Sequence, residues 1–180
     1  MSNTIPTKDV AKMVRSELRA TFPSVKFSVR CSRGTAVAWM DVSWVDGPTT
    51  PQVDEITGLF EGRKFNGMTD TYDDQGSILV AGEDDAMPEE IYYACGGILT
   101  ARSFSAAGHL EAQRVIETES SIPHVRVCDD DGNLLTKGGN LASPGDEVQI
   151  AGHRFSGWLD VHQAVHLVLY KRDLTPARIK

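Results

Sequence analysis

Cysteine is scarce: Cys31, Cys95 and Cys128 are the only three, far apart and in no CxxC pair. Such a set excludes a disulfide framework, and the polar start MSNTIPTKD does not read as a secretory leader, so the expected setting is reducing and cytoplasmic. Long apolar runs are missing too. Nothing approaches the ~18 residues of a membrane helix, so no membrane span is expected. Phosphate-cradling glycine patterns are absent, because neither Gly96-Gly97 nor Gly138-Gly139 is framed by GxxxxGK[ST] or GxGxxG. Positive charge is nearly lost from the centre of the chain. Residues 65–131 carry three Lys/Arg against fourteen Asp/Glu, whereas 1–64 carry nine against seven and 132–180 six against four. The centre is therefore −11 and each end +2, which together give the net −7.

An acidic centre repels phosphates, since affinity for a polyanion comes from cations that displace its counterions. Direct nucleic-acid binding through it is disfavoured. It is either a solvated face or a surface that meets a basic protein by charge complementarity.

What is present describes a folded chain. At 180 residues, with 41% hydrophobic residues, it can bury a core without staples and is too apolar for a disordered segment. Thr7 is a candidate N-cap with Asp9 in the first turn, and Val10, Met13, Val14 and Leu18 form one face of a helix that Pro23 must end. Val25, Phe27, Val29 and Cys31 alternate, Arg33-Gly34 turns, and Ala36, Ala38, Met40, Val42 and Trp44 alternate again. This describes a hairpin with Val37, Trp39, Asp41 and Ser43 on the face away from the core. Asp46-Gly47-Pro48 breaks the second strand. Thr50 and Pro51 then start a helix with Val53, Ile56 and Phe60 as its stripe and Gly62 as a left-handed end.

Further along, Ile78–Val80 is a short apolar run between acidic loops, and Ile91 to Cys95 reads as a strand. Ser105 caps a helix to Glu119 with Leu110, Ala112, Val115 and Ile116 inside. Beyond Pro123, short apolar runs separated by Gly and Asn, with a turn at Asp131-Gly132, read as β-rich. The expected fold class is α+β: a small antiparallel sheet with two or three packed helices in a domain of residues 1–120, then a β-rich C-terminal extension of residues 121–180.

The succession of a helix, the runs KFSVRCS and VAWMDVSW, then WVDGPT, a helix and FEGRKFNGMTD resembles the twenty-ninth of the large polyvalent protein-associated domains. A later run, YYACGGILTARSFS, is similar to that family's strand followed by an arginine and a serine. The likeness covers roughly residues 7–120, and its most specific points are Trp44, Asp46, Gly47, Pro48, Phe65, Gly67, Met68 and Asp70. The family occurs in long multi-domain proteins of phages and conjugative elements. The resemblance therefore implies genomic company and no particular chemistry.

Candidate reaction centres are few. Asp46 and Asp70 would make an acid–base pair only where the corner and the FNGMTD loop meet at one end of the sheet; at such a corner Asp46 is also an ordinary turn residue bonding backbone. His162 and His166 share a face if helical, with Cys128 or His153 to complete a zinc site. Gln163, however, stands where a zincin has Glu. VHQAVHLVLY also reads as a strand, which would part the two histidines by about 13 Å. Asp129-Asp130-Asp131-Gly132-Asn133 fails the EF-hand spacing and reads as a turn. Ser103 and Ser105 lack a GxSxG setting, and the cysteines sit in apolar alternation, where inert thiols are the rule. No catalytic residue, metal site or cofactor is assigned.

The expectation is thus a mobile-element accessory protein of phage or plasmid that binds protein without catalysis, as an anti-CRISPR-like inhibitor of host defence. Its partner would be the basic groove of a defence nuclease or guide-RNA complex, met by Trp39, Asp46, Asp70, Asp73, Asp74, Glu83, Asp84, Asp85, Glu89 and Glu90, with no direct nucleic-acid contact and no membrane. An accessory or enzymatic role in the element's DNA processing or conjugation is the alternative.

Overall fold

The computed structural model describes residues 3–33, 38–80, 88–135, 145–156 and 159–176. In chain order its elements are β1 (Asn3–Ile5), α1 (Thr7–Thr21), β2 (Ser28–Cys31), β3 (Trp39–Val45), α2 (Thr50–Thr57), β4 (Arg63–Asn66) and β5 (Thr71–Asp74). There follow β6 (Ile78–Val80), β7 (Glu89–Tyr93), β8 (Gly97–Ser103), α3 (Ala106–Glu119), β9 (Glu147–Ile150), β10 (His153–Ser156) and α4 (Val161–Leu169). The fold is α+β, with small antiparallel and mixed sheets. Two compact units divide it: one from Met1–Trp44 and Thr50–Arg102, the other from Val45–Thr49 and Ser103–Pro176. Among the described residues, no helix is long and apolar enough to cross a membrane.

The first unit is organised by α1. Pro6, extended at φ −62 and ψ 149, occupies the N-cap, and its carbonyl accepts the N–H groups of Asp9 and Val10. Thr7 is therefore the first helical residue and not the cap; its hydroxyl instead donates to the Ala94 carbonyl. Val10, Ala11, Val14 and Leu18 are buried, and Met13 is only partly so. That stripe meets the alternating face of β3, where Met40, Val42 and Trp44 are buried while Asp41 and Ser43 are exposed. Truncating a buried side chain such as Leu18 to Ala costs about 2–5 kcal/mol through lost transfer energy and the cavity left behind.

β2 pairs antiparallel with β3, Val29 opposite Val42 and Cys31 opposite Met40, in a sheet of order β2-β3-β8. The expected turn at Arg33-Gly34 and the residues Ala36 and Val37 reach into 34–37, outside the described residues. A second sheet of order β1-β7-β6 is mixed, because β1 runs parallel to β7 and β6 antiparallel to it. β4 and β5 form a separate antiparallel hairpin. α2 ends in a 3-10 turn at Gly58–Phe60, not at a left-handed Gly62. Gly62 answers to a different constraint: its N–H donates to the Cys95 carbonyl, and a Cβ there would stand 2.0 Å from the Tyr93 carbonyl oxygen.

In the second unit α3 and α4 share a core with β9. Ala112, Val115, Ile116, Val148, Ile150, Leu159, Val161, Ala164, Val165, Val168 and Leu169 are buried together. Leu110, expected inside, is 40% exposed, and Gln113 takes a buried place by donating to Val125 O and accepting from Val127 N. VHQAVHLVLY is helical. Asp160 at the N-cap accepts from Gln163 N while the Gln163 side chain accepts from Asp160 N, a capping box that fixes the start of a helix whose face of Val161, Ala164, Val165, Val168 and Leu169 is buried.

Candidate functional site

Between Lys64 and Arg102 the sequence has eight carboxylates and no lysine or arginine. In the structure this stretch runs through the β4–β5 hairpin and the β6–β7 ribbon of the first unit. FNGMTD covers the end of β4 and the hairpin's turn. Asn66 Oδ1 accepts from Met68 N at 3.0 Å, and Asp70 takes a left-handed φ of 52 that returns the chain to β5. The hairpin stands where the sequence predicts a loop: its turn is the four residues 67–70, with the left-handed conformation supplied by Asp70 and not by Gly67.

Charge in the hairpin is balanced across the strands. Arg63 lies opposite Asp74 and bonds it at 2.9 Å, and Lys64 lies opposite Asp73, which also accepts from Asn66 Nδ2 at 2.8 Å. These exposed pairs contribute little to stability, yet they leave the hairpin near neutral. Its aromatic residues form a cluster. Trp39 meets the edge of Tyr72 with ring centroids 5.7 Å apart, and Tyr72 meets Phe65 at 5.3 Å. Trp39 also lies over Gly97, where a Cβ would come within 2.6 Å of Trp39 Cζ3. Half-buried in this way, Trp39 supports the hairpin and shows only part of its ring.

The β6–β7 ribbon is not balanced. Val80 stands opposite Glu89 and Leu79 opposite Glu90, so each of these carboxylates faces an aliphatic side chain and not a cation. Glu90 accepts from the Ser77 hydroxyl at 2.6 Å. β6 is the outer strand of its sheet, with Leu79 71% and Val80 42% exposed. An edge strand offers unpaired backbone groups for strand addition. Glu83, Asp84 and Asp85 lie outside the described residues.

A cleft of about 440 Å³ opens beside the hairpin, lined among others by Arg63, Asp74, Tyr92, Tyr93 and Cys95. Burial pushes the Cys95 thiol and the Tyr93 hydroxyl up in pKa, away from the ionised forms a nucleophile or base would need. Burial likewise raises Cys128 in the second unit. His162 and His166 do share a face of α4, but among the described residues no group of three or more His, Cys, Asp or Glu is placed to hold a metal.

Asp46 belongs to the second unit and has a defined task. Its φ of 53 makes the corner, and its N–H donates to Ser103 O at 2.8 Å. The carboxylate then accepts twice from Ser105: from the backbone N–H at 3.0 Å and from the hydroxyl at 2.5 Å. By taking the hydroxyl proton it orients the Ser105 oxygen to accept from Gly108 N, which caps α3. A negative charge at a helix N-terminus is also favoured by the helix dipole. The corner therefore serves the start of α3, by bonding chain 59 residues onward.

Residues 5–105 match the large polyvalent protein associated domain 29. The chain belongs to that family. It is a family of phage and mobile-element proteins, and the matched span holds both Asp46 and Ser105. No curated protein and no solved structure matches the chain.

Proposed function

We propose that this member of the domain 29 family is a non-enzymatic accessory protein that inhibits a host defence component by occupying its basic groove in the cytoplasm. The observation that carries the reading is the β6–β7 ribbon: an exposed aliphatic edge strand beside Glu89 and Glu90, within a stretch that contains no lysine or arginine. A nuclease or a guide-RNA complex holds phosphates in a cationic groove. A preorganised ribbon, with carboxylates on β7 and an outer edge on β6, competes for such a groove, gaining association rate from charge and orientation from backbone pairing. Family membership supports the mobile-element context.

The test is to purify candidate defence complexes and titrate the protein into them at low and raised salt. Affinity is expected to fall steeply with salt, and to fall at least about tenfold in Glu89→Lys/Glu90→Lys, since like charges then meet across the interface. Binding indifferent to both changes would remove the acidic ribbon as the contact. A role in the element's own DNA processing or conjugation is the second reading, favoured by Lys8, Lys12, Arg15 and Arg19, which lie along one side of α1.

A further inference from the structure

The first 33 residues carry Lys8, Lys12, Arg15, Arg19, Lys26, Arg30 and Arg33 against only Asp9 and Glu17, in a chain whose net charge is −7. Four of these cations lie on α1 at positions i, i+4, i+7 and i+11. At 3.6 residues per turn they occupy about 60° of the helix circumference and extend for about 16 Å. Glu17 lies on the far side of the helix from them. The apolar stripe of Val10, Ala11, Val14 and Leu18 is buried, so the cations flank a face already used for packing.

At its C-terminal end the row leads into a groove of about 450 Å³ lined by Arg15, Arg19, Pro23, Val25, Lys26 and Phe27, with no carboxylate among them. Arg15 Nη2 donates to Val29 O at 2.6 Å, which holds the guanidinium at the groove wall and leaves its other N–H groups for a ligand. Lys12 pairs with Asp9 at 2.7 Å, but both are well exposed, and such pairs exchange readily for a stronger anion. Among the described residues Lys8, Arg19 and Lys26 have no ion-pair partner.

We propose that this row and groove bind the phosphate backbone of a nucleic acid. A repeating row of cations matches a repeating polyanion: one strand presents a phosphate about every 3.4 Å of duplex axis, so the α1 row covers about five. The Pro23, Val25 and Phe27 wall offers apolar contact to sugar or base at the groove end. An anionic membrane is the poorer fit. A helix that binds bilayers turns its apolar face to the lipid, and here that face is enclosed in the protein core. This site is independent of the acidic ribbon, and its failure would leave that reading untouched.

Fluorescence anisotropy with labelled single-stranded DNA, RNA and duplex DNA of about 20 nucleotides, between about 50 and 200 mM salt, tests it. The four cations of the row and Lys26 of the groove predict a log–log salt slope of about −4.5 on duplex or about −3.5 on single strands. Lys8→Gln/Lys12→Gln/Arg19→Gln, which spares the Arg15 bond, should weaken binding at least about tenfold and lower the slope by about 3 on duplex. Circular dichroism confirms the variant's fold, and Glu89→Lys/Glu90→Lys should bind DNA no more weakly than the parent. The proposal is overturned by absence of salt-dependent binding to all three probes or by equal binding of the folded triple variant. It is overturned equally by a row that captures phosphatidylserine vesicles but no nucleic acid.

Discussion

Asp46 and Asp70 are the same residue type in the same left-handed backbone conformation, at φ 53 and φ 52, each in a short motif that marks the family likeness. They do different work. Asp46 is half-buried and accepts two hydrogen bonds from Ser105; Asp70 sits in an exposed hairpin turn whose other bonds come from Asn66 and Thr69. A sharp turn with an aspartate therefore tells little about role until its acceptors and donors are known. What separates structural from surface carboxylates in this protein is whom they bond, not where the backbone bends.

The comparison can be broken by deletion. Asp46→Ala should lower stability by about 2 kcal/mol, combining a lost cap with a lost charge-assisted bond, whereas Asp70→Ala should move it by less than about 0.5. Thermal melts of the two variants side by side measure the gap, and equal shifts would erase the distinction. Gly108→Ala comes next. Its new Cβ would stand 2.6 Å from Asp46 Oδ1, so a loss of about 1 kcal/mol is expected despite alanine's better helix propensity. In an Asp46→Ala background that loss should shrink, and strict additivity in the double-mutant cycle would show that the two positions do not press on one another.

Asp70→Gly sharpens the contrast from the other side. Glycine relieves the left-handed penalty but loosens the unfolded chain, and the two effects leave a net change within about 0.5 kcal/mol in a urea titration. Asp46→Gly should instead destabilise, because its bonds go with it.

The smallest effect is one of pH. Hydrogen bonding from Arg114, reinforced by the charges of Arg114 and Arg172, holds Glu111 below its ordinary pKa. A depressed carboxylate contributes stability above its unfolded pKa and loses it as pH falls through the folded value. Glu111→Gln should thus narrow the stability difference between neutral pH and acid below the usual glutamate range, by about 0.3 kcal/mol given the exposure of the pair. A variant that kept the parent's full acid sensitivity would exclude Glu111 as a contributor.

Much of the first unit was legible because its signals are local. Val10, Val14 and Leu18 follow the helical period and Met40, Val42 and Trp44 the strand period; each lies where periodicity puts it. In the second unit Ser105 likewise carries the mark of an N-cap. The misses arose where the deciding partner is distant or reciprocal. Gly62 read as a helix end but is required by the approach of the Tyr93 carbonyl. VHQAVHLVLY is composed like a strand, yet Val161, Ala164, Val165, Val168 and Leu169 bury one helical face and the mutual bonds of Asp160 and Gln163 cap its start. For the candidate site, the sequence showed the carboxylates but not the cross-strand register. That register pairs Asp73 and Asp74 with cations and leaves Glu89 and Glu90 beside Val80 and Leu79.

The short excursion Val45–Thr49 counts with the second unit, although chain on both sides of it, up to Trp44 and from Thr50, counts with the first. No single cleavage point can therefore yield both units whole: any nick from 50 to 102 leaves the corner on the amino-terminal fragment and strips α3 of the carboxylate that anchors its first turn. During synthesis the same arrangement imposes an order of events. Asp46 emerges from the ribosome well before Ser105 and must wait for it, so the start of α3 can lock only once the intervening strands have been made.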